Sequence, residues 1–181
     1  MKLLICSDIH GDLTSAEKIV TAFKNEGAEK LIILGDILYH GPRNDLPKGY
    51  NPKGVIPLLN SVSDSIISVR GNCDAEVDDM VLDFSVLADY AYLSVDSLRI
   101  FITHGHRYNT DNPPSLSKGD VLLHGHTHVP AFIRFGNDNI YINPGSVSIP
   151  KENSKQTYIV YENRKFTFKD IEGNVISEYE I

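Results

Sequence analysis

The strongest constraint on this chain is a recurrence: short apolar runs, each ended by a polar residue able to bind a metal or move a proton. Lys2 to Cys6 is followed by Asp8 and His10, Leu31 to Leu34 by Gly35-Asp36, and Ile66 to Val69 by Arg70-Gly71-Asn72. Later, Leu98 to Thr103 is followed by His104-Gly105, and Val121 to Leu123 by Gly125-His126-Thr127-His128. Runs this short and this apolar read as strands buried on both faces. In open α/β sheets, ligands bind in the crevice at the carboxyl ends of strands. Seven oxygen and nitrogen donors therefore fall where such a fold builds a site.

The intervening segments fit that architecture. Thr14 to Asn25 places Ile19, Val20 and Phe23 at helical spacing, with Thr14 or Ser15 as cap and Gly27 as stop. After a Pro- and Gly-rich loop from His40 to Asn51, Pro52 opens a second helix through Leu58, Leu59 and Val62. Three strands joined by helix-length crossovers predict a mostly parallel sheet. The second half reads differently. Asp96-Ser97 joins Ala91–Val95 to Leu98–Thr103 as a hairpin. Val121–Leu123, Ala131–Phe135, Ile140–Ile142, Thr157–Tyr161 and Arg164–Lys169 follow as short strands, and Phe166 and Phe168 alternate with polar neighbours. The expectation is a second, mixed or antiparallel sheet packed on the first, with helices outside. Without repeat, low-complexity tract or linker, residues 1–181 read as one domain.

Composition narrows the function. A formal charge of −7 argues against a protein that wraps phosphate backbones, so broad nucleic-acid binding is excluded. No run approaches the length of a membrane span, and the first residues turn polar by Ser7 and Asp8, unlike a signal peptide. Cys6 and Cys73 make no disulfide framework, which points to a reducing cytoplasm. Among the seven histidines, His104, His106, His124, His126 and His128 crowd together beside an acidic surplus, the composition of a divalent-cation site.

Each residue alone has an ordinary reading. Asp8 suits a helix cap or turn, Asn72 beside Gly71 suits a left-handed turn, and a single histidine is most often a hydrogen-bonded residue of surface or core. Five such motifs in order, each behind a strand, outweigh those readings. Asp8 and His10 are two apart, as are His126 and His128, so in an extended segment each pair points one way.

The ordered set Asp8-Ile9-His10, Gly35-Asp36, Gly71-Asn72, His104-Gly105 and Gly125-His126-Thr127-His128 resembles the calcineurin-like metallophosphoesterases. The resemblance implies an α/β fold of two packed mixed sheets flanked by helices, a four-layer αββα sandwich with two metals at the loop edge. It implies that Asp8, His10, Asp36 and His128 hold one metal, and that Asp36, Asn72, His104 and His126 hold the other. It favours manganese, and the thiolate-free donor set suits iron, zinc or nickel as well. The implied activity is hydrolysis of small phosphodiesters by a metal-bridging hydroxide, with Asp36 setting the metal spacing and Asn72 as a neutral ligand.

One departure stands out. Cys73 follows Asn72 where many relatives carry a histidine that helps protonate the leaving group. It reads either as a reactive thiol or as a small residue packed in a loop. His106 is the candidate substitute acid, with a surface role as the alternative. Arg43 and Arg70 are candidates for phosphate contact, or for ion pairs with Asp45 or Asp74. His40 and His124 read as structural, and Asn143-Pro144-Gly145-Ser146 as a tight turn shaping the site's edge. The competing functions are a non-catalytic or weakly catalytic metal-binding scaffold of the same fold, and another binuclear hydrolase such as an amidohydrolase, whose H-x-H pair usually lies near the chain start. Two divalent ions would bring the charge from −7 to −3, so an acidic chain gains a cationic edge suited to phosphate. Self-association through an exposed apolar face is left open.

Overall fold

Strand β1 (Leu3–Cys6) forms because both of its faces find apolar cover. Leu3 and Ile5 point into one buried cluster with Ile100, Ile102, Val121 and Ile142. Leu4 and Cys6 point into another with Ile19, Phe23, Val55 and Leu59. A strand between two cores must be apolar throughout, which is why its sequence shows no alternation. The computed structural model describes residues 1–181.

The chain continues through α1 (Leu13–Asn25), β2 (Lys30–Ile33), α2 (Pro52–Asn60) and β3 (Ile66–Ser68). β1 and β2 pair in parallel, as do β2 and β3. α1 starts one residue earlier than expected. Its cap is Asp12, whose carboxylate accepts the Ser15 N–H at 2.9 Å. Pro52 opens α2 as expected, behind an Asn51 cap. A single turn, α3 (Glu76–Asp79), follows the β3 loop.

A hairpin of β4 (Tyr90–Val95) and β5 (Leu98–Thr103) then turns at Asp96-Ser97, both left-handed (φ 50° and 63°), as a type I′ turn requires. β6 (Val121–Leu123), β7 (Pro130–Phe135) and β8 (Asn139–Pro144) complete a five-stranded mixed sheet of order β4-β5-β6-β8-β7. The last three strands, β9 (Thr157–Glu162), β10 (Lys165–Asp170) and β11 (Val175–Glu180), return to the first sheet and give it the order β11-β10-β9-β1-β2-β3. Sequence reading had grouped Thr157–Tyr161 and Arg164–Lys169 with the second sheet and had not foreseen β11. The physical reason is the edge of β1 left free by β2, which β9 covers in antiparallel register, Leu4 opposite Val160.

Two packed mixed sheets are found as expected, but the first is not mostly parallel, because β9, β10 and β11 add three antiparallel pairings to the parallel β1-β2-β3. The helices crowd onto the outside of the six-stranded sheet, while the five-stranded sheet turns Tyr90 and Tyr92 outward around Phe101, with ring centroids 5.0 and 5.1 Å from it. No helix is long and apolar enough to cross a membrane. The parallel strands of both sheets end at one edge. There the loops after β1, β2, β3, β5, β6 and β8 meet, and there the polar motifs lie.

Candidate metal centre

Glycines let these loops approach. A Cβ on Gly71 would stand 2.1 Å from Asp36 Oδ1, and one on Gly125 would stand 1.9 Å from Ser7 Oγ. Asp74 stitches two of the loops together: its carboxylate accepts the backbone N–H groups of Asp36, Ile37 and Gly71 at 2.7 to 2.8 Å. Burial pushes its carboxyl up to about 6, with the Asp36 carboxylate adding to the rise and the three N–H donors opposing it. From the other sheet, the Ser146 and Ser148 hydroxyls both donate to the Asp8 carbonyl at 2.8 Å. Ser146, in the expected Asn143–Ser146 turn, and Ser148 just beyond it thus hold the Asp8 loop.

All seven candidate metal residues converge at this edge. Asp8, His10, Asp36, His104 and His128 are buried, whereas Asn72 and His126 face the opening. Five of the seven have left-handed backbones: Asp8 (φ 58°), His10 (50°), Asp36 (54°), His126 (68°) and His128 (62°). Non-glycine residues there cost of order 1 kcal/mol each and concentrate where geometry matters more than stability. The i, i+2 pairs therefore do not share a side through extended backbone, as the sequence suggested. Left-handed turns aim them instead.

Two groups result. In the first, Asp8 Oδ1 lies 3.6 Å from His10 Nε2 and 3.2 Å from His128 Nε2, while Asp36 Oδ2 lies 3.7 Å from His10 Nε2. In the second, His104 Nε2 lies 3.5 Å from Asp36 Oδ2, 3.1 Å from Asn72 Oδ1 and 3.2 Å from His126 Nδ1. Asp36 Oδ2 belongs to both groups.

Hydrogen-bond accounting tests whether cations fit. Nδ1 of His10, His104 and His128 lies 2.8, 2.6 and 2.7 Å from the carbonyls of Tyr39, Leu34 and Ile149. A carbonyl only accepts, so each Nδ1 carries the proton and each Nε2 offers a lone pair. Yet His10 Nε2 faces His128 Nε2 at 3.3 Å, and Asp8 Oδ1 is buried with no hydrogen-bond partner. Lone pairs and carboxylate oxygens packed this way call for positive charge between them. The same demand is seen at His104, which burial alone would keep neutral but which the Asp36 and Asp8 carboxylates push up to about 9. At Asp8, burial is likewise overcome, and His10 and His128 hold its carboxyl well below the usual range. The residues fit divalent cations of borderline character.

The other predicted residues divide. Arg43 lines the cleft over the two groups, an opening of about 400 Å³, and makes no salt bridge with Asp45. Arg70 does not line it. Its guanidinium donates to the Asp74 carbonyl and pairs with Glu76 at 3.6 Å, so a charge six residues on has claimed it. Cys73 lines the cleft, and burial with the Asp36 and Asp74 carboxylates pushes its thiol up to about 12. Its contribution is the backbone N–H, which donates to Asp36 Oδ1 at 2.8 Å. His106 stands at the rim, its ring 5.4 Å from that of His104. Burial, with His104 and Arg107, lowers its pKa. His124 is buried and stacked on Tyr141 at 4.3 Å, in keeping with a structural role. Sequence reasoning missed the role of Asp74, Ser148 and the cleft residue Lys151, whose neighbours Pro150 and Glu152 gave no signal.

A family model described as the calcineurin-like phosphoesterase superfamily domain matches residues 1–165. Over 163 residues the chain is 47% identical to phosphodiesterase YfcE of Escherichia coli K12, spanning 90% of this chain and 88% of that protein. The solved structure of E. coli YfcE, described as a phosphoesterase, superposes with a TM-score of 0.96 at 43% identity over the whole of both chains. Phosphodiesterase MJ0936 of Methanocaldococcus jannaschii is 29% identical over 153 residues, 80% of this chain and 83% of that one.

Proposed function

The chain belongs to the calcineurin-like phosphoesterase superfamily, and on that premise we propose that it is a metal-dependent phosphodiesterase acting on small phosphodiesters. In this reading Asp8, His10, Asp36 and His128 hold one divalent cation, and Asp36, Asn72, His104 and His126 hold a second, with manganese favoured over iron, zinc or nickel. The observation that carries it is the pair of donor groups sharing Asp36 Oδ2, with three imidazoles fixed by backbone carbonyls so that their lone pairs converge. Bound there, the cations would neutralise phosphoryl oxygens and lower the pKa of a water enough to supply hydroxide near neutral pH.

The chain's own residues supply the rest. Asp36 is held from the far side by the Cys73 N–H, which fixes the oxygen shared between the groups. Asn72 offers a neutral oxygen, leaving more positive charge at the site than a carboxylate would. Arg43 and Lys151, both lining the cleft, face the non-bridging oxygens of a substrate. No imidazole follows Asn72, and His106 is not among the residues lining the cleft, so departure of the leaving group relies little on a proton from the protein. That favours diesters with good leaving groups over dianionic monoesters. A scaffold would need none of the seven donors, and their full retention supports the enzymatic reading.

Asp36→Ala and Asn72→Ala test it. Turnover of bis(p-nitrophenyl) phosphate and bound metal should be lost together, with a native circular dichroism spectrum. Near-full turnover by either metal-supplemented variant would contradict the two-metal assignment.

A further inference from the structure

The cleft is a host for phosphate and little else. Its walls are polar or charged except at Pro42 and Cys73. A diester has two ester arms, and the retained arm needs a place. Cys73 is also a wall of a second cavity of about 490 Å³, lined by Leu38, Tyr39, Tyr50, Ile56 and Val77. The two cavities thus share one side chain. They are further joined through the metal groups: the Tyr39 carbonyl accepts from His10 Nδ1 at 2.8 Å, and the Cys73 N–H donates to Asp36 Oδ1 at 2.8 Å. An apolar cavity is thus fixed in place one hydrogen bond away from two of the seven candidate ligands, His10 and Asp36.

Its apolar walls are open to solvent, with Tyr39 43% and Val77 62% exposed. A hydrophobic hollow of this kind beside a polar cleft marks a ligand site more often than packing. The volume far exceeds what one aromatic ring requires, since a void of about 150 Å³ already takes benzene. Tyr39 and Tyr50 line it and each packs edge-to-face on His40 behind them, at 4.7 and 5.3 Å, which fixes two rings as walls suited to a further planar ring.

We propose that this cavity binds the retained arm of the diester, a planar aromatic group, with the phosphoryl group over Asp36 and Asn72 and the arm crossing Cys73 to lie between Tyr39 and Val77. This rests on the phosphodiesterase reading above. The cavity makes the enzyme selective for diesters carrying an aryl or base-like arm over those carrying a small alkyl arm.

The test compares phenyl p-nitrophenyl phosphate with methyl p-nitrophenyl phosphate, using manganese-loaded full-length protein. The leaving group is the same in both, and the rates are corrected for intrinsic reactivity by alkaline hydrolysis. The wild type should favour the phenyl ester by about tenfold or more in kcat/KM, the scale expected for burying one ring. Val77→Asp, at an exposed position, should lower that preference to about twofold or less, while Met80→Asp, on the surface outside the cavity, should retain it. Turnover of both esters with a ratio near one in the wild type, or a ratio unmoved by Val77→Asp, would overturn the cavity assignment alone. No turnover of either ester with manganese, iron, zinc or nickel would overturn the phosphodiesterase reading, and this inference with it.

Discussion

Gly71→Ala places a methyl group 2.1 Å from Asp36 Oδ1 and 2.3 Å from the Asp36 backbone nitrogen. Ordinary non-bonded separations are about 3.5 Å, so one of the two loops must move by about 1 Å. The Asp36 carboxylate has little room to yield. Its Oδ1 accepts the Cys73 N–H, its Oδ2 lies between His10 and His104, and its backbone N–H is tied to Asp74. Overpacking of this kind costs about 1 to 3 kcal/mol, which for a chain of this length lowers Tm by a few degrees. The effect on the site should be far larger than the effect on stability. Asp36 is shared by both donor groups, and a displacement of about 1 Å at a reacting centre costs on the order of 100-fold in rate. Steady-state hydrolysis of bis(p-nitrophenyl) phosphate, calorimetric manganese titration and thermal unfolding measure the three quantities. Gly119→Ala is the control, because its added methyl meets nothing within 4 Å although its φ is +81°. It should lose stability through strain and keep its turnover. A Gly71→Ala protein with turnover within threefold of wild type and unchanged manganese affinity would refute the argument that the closeness of these loops positions Asp36.

Cys73→His restores an imidazole beside Asn72 and should raise p-nitrophenyl phosphate turnover relative to diester turnover; an unchanged ratio would remove leaving-group protonation as the reason for diester preference. Alkaline stability should also decline in a defined window. Burial, with the Asp96 carboxylate for Tyr161 and those of Glu26 and Asp170 for Tyr158, pushes both phenols up to about 12 from an ordinary value of 10. Below pH 10 both states hold these protons and nothing changes. Between pH 10 and about 12 the unfolded chain ionises first, so stability falls by at most about 1.4 kcal/mol per pH unit for each tyrosine. Urea unfolding of Tyr161→Phe across that range should show a shallower decline than wild type, and parallel curves would contradict the assignment. Ser146→Ala combined with Ser148→Ala leaves the Asp8 carbonyl without its two hydroxyl donors. It should weaken manganese binding in calorimetry by about tenfold, within the range of outer-shell effects, and unaltered affinity would count against that role.

The site was more legible in sequence than the fold around it. Strands buried on both faces cannot carry polar residues, so any donor following one is thrown to the sheet edge. That is why Asp8, Asp36, Asn72, His104 and His126 could be picked out before their geometry was known. What escaped depends on contacts distant in sequence. β9 is short and buried on both faces, and nothing in Thr157–Glu162 says whether it will cover the free edge of β1 or extend the other sheet. The aim of His10 and His128 was right for a different reason than the spacing gave, since their backbones are left-handed rather than extended. Arg43 and Arg70 looked equivalent as residues. Only the structure distinguishes a guanidinium facing the cleft from one paired with Glu76. Asp74 gave no sign that it would bind three backbone N–H groups, because those donors come from loops that meet only after folding.

The claim at the centre of this account is that seven side chains form two cation sites joined by Asp36. Anomalous diffraction at the manganese edge, on crystals grown with saturating manganese, tests it most directly. Two peaks per chain are expected, one enclosed by Asp8, His10, His128 and Asp36, and one by Asp36, Asn72, His104 and His126. A single peak, no peak, or density away from Asp36 would contradict it.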